Sequence, residues 1–89
     1  MFIAKVRGTV VSVRKDDRLV GFKLLVIHRL NTSGEYIDLP QVAVDTVDAG
    51  VGETVIVTSG SSARYAATRP DSPIDATIVG IVDSMSIEC

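Results

Sequence analysis

The chain is short of the residues that most often carry chemistry. One cysteine, Cys89, and one histidine, His28, occur among 89 residues. A lone thiol excludes an internal disulfide framework and a thiolate metal site. A lone imidazole excludes a histidine-cluster metal site. Tryptophan is absent, and the only aromatics are Phe2, Phe22, Tyr36 and Tyr65. Single-strand nucleic-acid binders stack bases on aromatic platforms, so that role starts with little to build on. Charged residues break every apolar run well before eighteen residues, and no membrane span is expected. The opening stretch Met1 to Arg7 carries Lys5 and Arg7 inside its apolar run, unlike a signal peptide. A cytoplasmic protein is the expectation. Asn31-Thr32-Ser33 matches the glycosylation sequon and, with no secretory signal, reads as a chance match in a turn.

What is present points to a folded, partner-seeking chain. Hydrophobic residues make up 46% and charged residues 22%, a composition that folds. The length suits one domain over residues 1–89. Surface scaling gives such a monomer roughly 5,000 Å² of accessible area, leaving a core with little to spare. A mean hydropathy of +0.33 is high for so small a chain. Some apolar side chains are therefore expected at an interface.

Charge is divided unevenly. Lys5, Arg7, Arg14, Lys15, Arg18, Lys23 and Arg29 face only Asp16 and Asp17 in the first 29 positions, giving +5. The remainder sets Arg64 and Arg69 against nine acids, giving −7 and the overall −2. Opposite charges placed side by side in the fold, or across a subunit contact, account for this best. A basic nucleic-acid face is the rival reading, weakened by a sequence pI of about 5.1.

Strand signals dominate the pattern. Phe2 to Arg14 is β-branched and alternating, with apolar Phe2, Ala4 and Val6. The phase moves to Thr9, Val11 and Val13 after Gly8, which predicts a bulge or sharp bend there. Lys15 to Arg18 reads as a solvated turn, and Leu19 to Leu30 as a second strand. Its Leu24-Leu25-Val26-Ile27 run is apolar on both faces, so the outer face needs a cover. Asn31 to Gly34 is a turn, and Glu35 to Pro40 an excursion that Pro40 keeps out of a central strand. Gln41 to Asp45, Thr54 to Thr58 and Ile74 to Asp83 complete five strands. Gly60 to Ala67 is the one plausible helix, with Ser61 or Ser62 as its cap and Ala63 and Ala67 as a small-residue face. The expected fold class is all-β with one short helix, a small five-stranded OB-like β-barrel.

Candidates for chemistry are few. Gly50-Val51-Gly52 is too short for a dinucleotide fingerprint and precedes a strand, so it reads as a turn or pore-lining loop. Gly60-Ser61-Ser62 lacks the spacing of a P-loop, and capping is its simplest role. His28 alternates with Phe22, Leu24 and Val26 and reads as a packed or interface histidine rather than a catalyst. Asp45, Asp75 and Asp83 stand at strand ends, where a carboxylate pair is conceivable only if distances allow. No catalytic residue, cofactor or metal ligand is assigned.

Five segments, in order, carry a resemblance. Met1-Phe2-Ile3-Ala4-Lys5-Val6-Arg7-Gly8-Thr9-Val10-Val11 resembles the opening of the bacterial microcompartment vertex proteins, the EutN/CcmL family. Leu19 to Val26 is similar to the family's second strand, and Val42 to Glu53 to its most recognisable segment. Gly60-Ser61-Ser62-Ala63-Arg64 and Pro73 to Asp83 complete the pattern. The resemblance implies a structural shell protein and not an enzyme. It implies a cyclic homopentamer that caps the icosahedral vertices of a shell tiled by hexameric shell proteins. It implies neither nucleic acid nor membrane as partner. The loop Asp48, Ala49 and Gly50 would then approach the five-fold axis, because small residues let five copies meet closely. Gly60, Ser61, Ser62 and Arg64 would form an inter-subunit contact, with Arg64 donating to the next subunit. An OB-fold module binding single-stranded nucleic acid or another ligand is the alternative, and a small enzyme using the strand-end carboxylates is the third reading.

Overall fold

The computed structural model describes residues 1–88; the question of Cys89 lies outside the described residues. Strands β1 (Phe2–Val10), β2 (Lys23–Arg29), β3 (Gln41–Asp45), β4 (Thr54–Ser59) and β5 (Ala76–Ile81) close into a barrel in the order β1-β2-β3-β5-β4. Neighbours are antiparallel except β3 and β5, which run parallel and share only the pairs Val44–Thr77 and Asp45–Ile78. Helix α1 (Ser61–Ala66) joins β4 to β5. The expected five-stranded OB-like barrel with one short helix is the observed architecture.

Alternation fills the interior. Ala4 and Val6 from β1, Leu25 and Ile27 from β2, Val55 and Val57 from β4 and Ile78 from β5 are wholly buried. The bulge expected beside Gly8 is present: the β1–β2 register shifts between Val6 and Gly8. The outer face of β2 has part of its cover. Leu24 packs with Leu19 and Phe22 against a second small core of Val44, Ala63, Ala67 and Ile74. Ala63 of α1 and Ala67 just after it thus pack in this outer cluster, and the buried Thr77 hydroxyl donates to Ala63 O at 2.7 Å.

Several boundaries differ from the sequence reading. β1 ends at Val10, not Arg14, because β2 begins only at Lys23 and offers no backbone beyond the Val10–Leu24 pair. Val11 and Val13 are 90% and 94% exposed. Asp17–Leu19 forms a 3-10 turn where the second strand was expected to start. Asp16 caps it by accepting from Arg18 N, and the Arg18 guanidinium donates back to the same carboxylate. Those bonds hold the Asp16 carboxyl well below the usual carboxylate range. The residue before α1 is Gly60, at φ 65°, and no side chain caps the helix. Neither Ser61 nor Ser62 is the cap, because both already lie inside the helix. β5 spans Ala76–Ile81, two residues shorter at each end than the expected Ile74 to Asp83.

Candidate functional site

The loop from Asp45 to Glu53 is held by hydrogen bonds and by the packing of Val47 and Ala49 on the core. Asp45 ends β3 with its side chain almost wholly buried. Its carboxylate accepts from Val47 N at 3.1 Å and from Ala49 N at 2.8 Å. Lys23, on the adjacent β2, reaches the same loop. It donates to Ala49 O at 2.6 Å and to Asp48 Oδ1 at 3.1 Å, and stands 3.5 Å from Asp45 Oδ2. The Asp48 carboxylate raises the Lys23 pKa. On the other flank, Gly50 N donates to Glu53 Oε1 at 2.6 Å, and Gly52 N donates to Val6 O at 2.8 Å. Gly52 adopts φ 92°, a conformation open to glycine, and Asp48 sits in the left-handed region at φ 59°. The loop is therefore held in one conformation from both flanks.

Of the three residues expected near the axis, the structure places two at the surface. The Asp48 side chain is almost fully exposed, and Gly50 is half-buried. Ala49 points inward and is buried in the barrel's own core. Its small size serves that core, while its carbonyl receives Lys23.

The second expected site clusters at the start of α1. Gly60, Ser61 and Ser62 are exposed, and Arg64 is half-buried. Gly60 N donates to Asp75 O at 3.0 Å, which fixes the turn against the entry to β5. Among the described residues the Arg64 guanidinium has no hydrogen-bond or ion-pair partner. Among the described residues no acid of its own chain pairs with Arg64.

The other candidates resolve into structural roles. His28 lies on the outer face of β2. Its ring stacks on Tyr36 at 4.6 Å, and Nε2 lies 2.9 Å from Asp38 O. Arg7 covers the same Tyr36 ring at 4.6 Å, Arg29 covers Phe2 at 4.8 Å, and Arg69 covers Phe22 at 5.6 Å. Three of the four aromatics thus already carry an arginine of their own chain, which leaves no row of free rings for bases to stack on. The uneven charge partly cancels within the fold, through Lys23 with Asp45 and Asp48 and through Arg29 with Asp38 at 3.9 Å. Asp45 spends both oxygens on backbone N–H groups. Asp75 and Asp83 are exposed. A surface cleft of about 330 Å³ lies between the Asn31 turn and the tail residues Met85 and Ile87 and has no carboxylate in its lining. Sequence reasoning missed Lys23 as the organiser of the Asp45–Glu53 loop; a lysine opening an otherwise apolar strand was the only trace.

Comparison with known proteins agrees with this geometry. The family model described as ethanolamine utilisation protein EutN/carboxysome matches residues 1–83. The chain is 47% identical to the bacterial microcompartment shell vertex protein PduN of Salmonella typhimurium, over 97% of this chain and 99% of the relative. It is 48% identical to the carboxysome shell vertex protein CcmL of Thermosynechococcus vestitus, over 97% and 87%. The solved structure of the GrpN pentameric microcompartment shell protein from Rhodospirillum rubrum superimposes with a TM-score of 0.88 at 49% identity, covering all of both chains. With its barrel order, its fixed Asp45–Glu53 loop and a match from Met1 to Asp83, the chain belongs to the EutN/CcmL family.

Proposed function

We propose that this chain is a vertex protein of a bacterial microcompartment shell. One observation carries the reading: the whole chain superimposes on a pentameric shell protein at 49% identity. In this reading residues 1–89 act as one vertex domain, five copies form a ring, and the ring sits among hexameric shell proteins. A hexagonal sheet cannot close on itself, and five-fold units at the vertices supply the missing curvature. The role is structural, with no reaction assigned, and the place of action is the shell inside the bacterial cell.

The surface fits such a role. The molecule exposes 5642 Å², against roughly 5,000 Å² expected for a compact monomer of this mass. Large apolar side chains on that surface include Val11, Val13, Leu39 and Tyr65. Arg64, whose guanidinium has no partner among the described residues, has its place beside Gly60, Ser61 and Ser62 against the next subunit. The Asp48 to Gly50 loop supplies the rim of the axial opening through Asp48 and Gly50, with Ala49 holding the loop to the barrel. The OB-fold binder is set aside because three of the four aromatics already carry an arginine of their own chain.

Assembly with a hexameric facet protein tests the function. Facet hexamers with this chain should give closed polyhedral particles by electron microscopy, and without it open sheets or tubes. Equal closure with and without the chain would refute the vertex role.

A further inference from the structure

Parts of the β1 and β3 edges have no ladder partner among the described residues. The first is on β1. Its ladder with β4 stops at Lys5, and the last backbone bonds on that side join Val6 to Gly52 and Glu53. From Arg7 onward β1 pairs only with β2, and after Val10 with neither. The chain continues outward through Val11 and Val13, the two most exposed large aliphatic side chains after the Phe2 strand begins. Burying them would remove apolar surface that nothing in this chain covers. Arg14 follows, and its guanidinium has no partner among the described residues.

The second edge is on β3. Only Val44 and Asp45 pair with β5, so Gln41 to Ala43 face an opening. That opening is a cleft of about 180 Å³, with Leu24, Ala43 and Ile74 among its lining and Val42, Pro73 and Asp75 at its exposed edge. The Asp75 carboxylate likewise has no partner among the described residues. A dry apolar cavity of about 150 Å³ holds a six-carbon ring. The cleft is thus the right size for the six side-chain carbons of two valines.

We propose that Val11 and Val13 of one copy enter the β3–β5 cleft of the next copy, with Arg14 against its Asp75. The inference rests on the pentameric reading and names a contact within it. The occupant is a second copy of this chain because the two surfaces match each other: apolar knobs with a free cation, and an apolar cleft with a free anion. The two surfaces are different parts of the chain. Each copy therefore gives one and receives one, the head-to-tail pattern that closes a ring.

Charge reversal tests the contact. The Arg14 and Asp75 side chains are exposed and have no partner among the described residues, so Arg14→Glu, Asp75→Arg and the double variant should all fold, which circular dichroism checks. Native mass spectrometry across a dilution series then reads the ring. Each single reversal should raise the concentration of half-dissociation by about ten-fold or more, and the double variant should recover most of that loss. Val13→Ser should weaken the ring without a rescuing charge partner. A wild-type pentamer whose single reversals leave dissociation unchanged, or whose double variant adds the two losses, overturns this contact alone. A wild-type chain that stays monomeric overturns the pentameric reading and the contact with it.

Discussion

Replacing Asp45 with alanine removes the group that shapes the loop after β3. The carboxylate accepts from Ala49 N at 2.8 Å and from Val47 N at 3.1 Å, both charge-assisted. Ala49 is wholly buried, so its N–H loses its acceptor at a site closed to solvent in the wild type. A hydrogen bond to a charged group contributes about 1.5–3 kcal/mol, and a buried donor left unmet costs about 1–3 kcal/mol. Lys23 still ties the loop through Ala49 O and Asp48, which limits the damage. The expected loss for Asp45→Ala is about 3 kcal/mol. Asp45→Asn keeps one accepting oxygen but turns an amide donor toward an N–H, and about 2 kcal/mol is expected. For a domain of this size 1 kcal/mol moves Tm by about 4–8 °C, so the alanine variant should melt about 12–24 °C lower. Urea unfolding at one fixed protein concentration is the assay, since ring formation adds a concentration-dependent contribution. A change below about 0.5 kcal/mol, the range of ordinary surface substitutions, would refute this account of the loop.

Two further outcomes follow from named side chains. Arg64→Ala should weaken the ring more than the monomer fold, because the Arg64 guanidinium has no partner among the described residues; equal loss of folding and of assembly would count against an inter-subunit role. The Lys23 pKa is raised, chiefly by its hydrogen bond to Asp48. A raised folded-state pKa gives stability that is fully present below the unfolded value of about 10.4 and lost as pH rises through the folded value. The stability difference between wild type and Lys23→Met should therefore be level from about pH 6 to 9 and shrink only in strong alkali. A difference that shrinks between pH 6 and 9 would contradict the pairing.

The barrel was legible because its information is local. Period-two alternation put Ala4 and Val6 of β1 on one face, and both are wholly buried, while the phase change beside Gly8 located a bulge that the register confirms. The two-faced apolar run of β2 correctly asked for a cover, and α1 with the 3-10 turn supplies it at Leu24. What failed depended on contacts that strand patterning does not encode. Val11 to Arg14 has the composition of a strand, but a strand needs a partner backbone, and β2 does not reach that far. Asp45 looked like an acid ending a strand; its two bonds to the backbone ahead exist only once the loop turns back. Ala49 looked suited to a crowded axis by size alone, and the same size suits the core in which it is buried. Lys23 gave almost no signal, because its partners lie 22 to 26 positions away.

The central claim is a ring of five, and native mass spectrometry of the purified chain at micromolar concentration tests it most directly. One chain weighs 9.5 kDa, and the account predicts a dominant species at five times that mass. A single species at one chain mass, or at any multiple other than five, would contradict it.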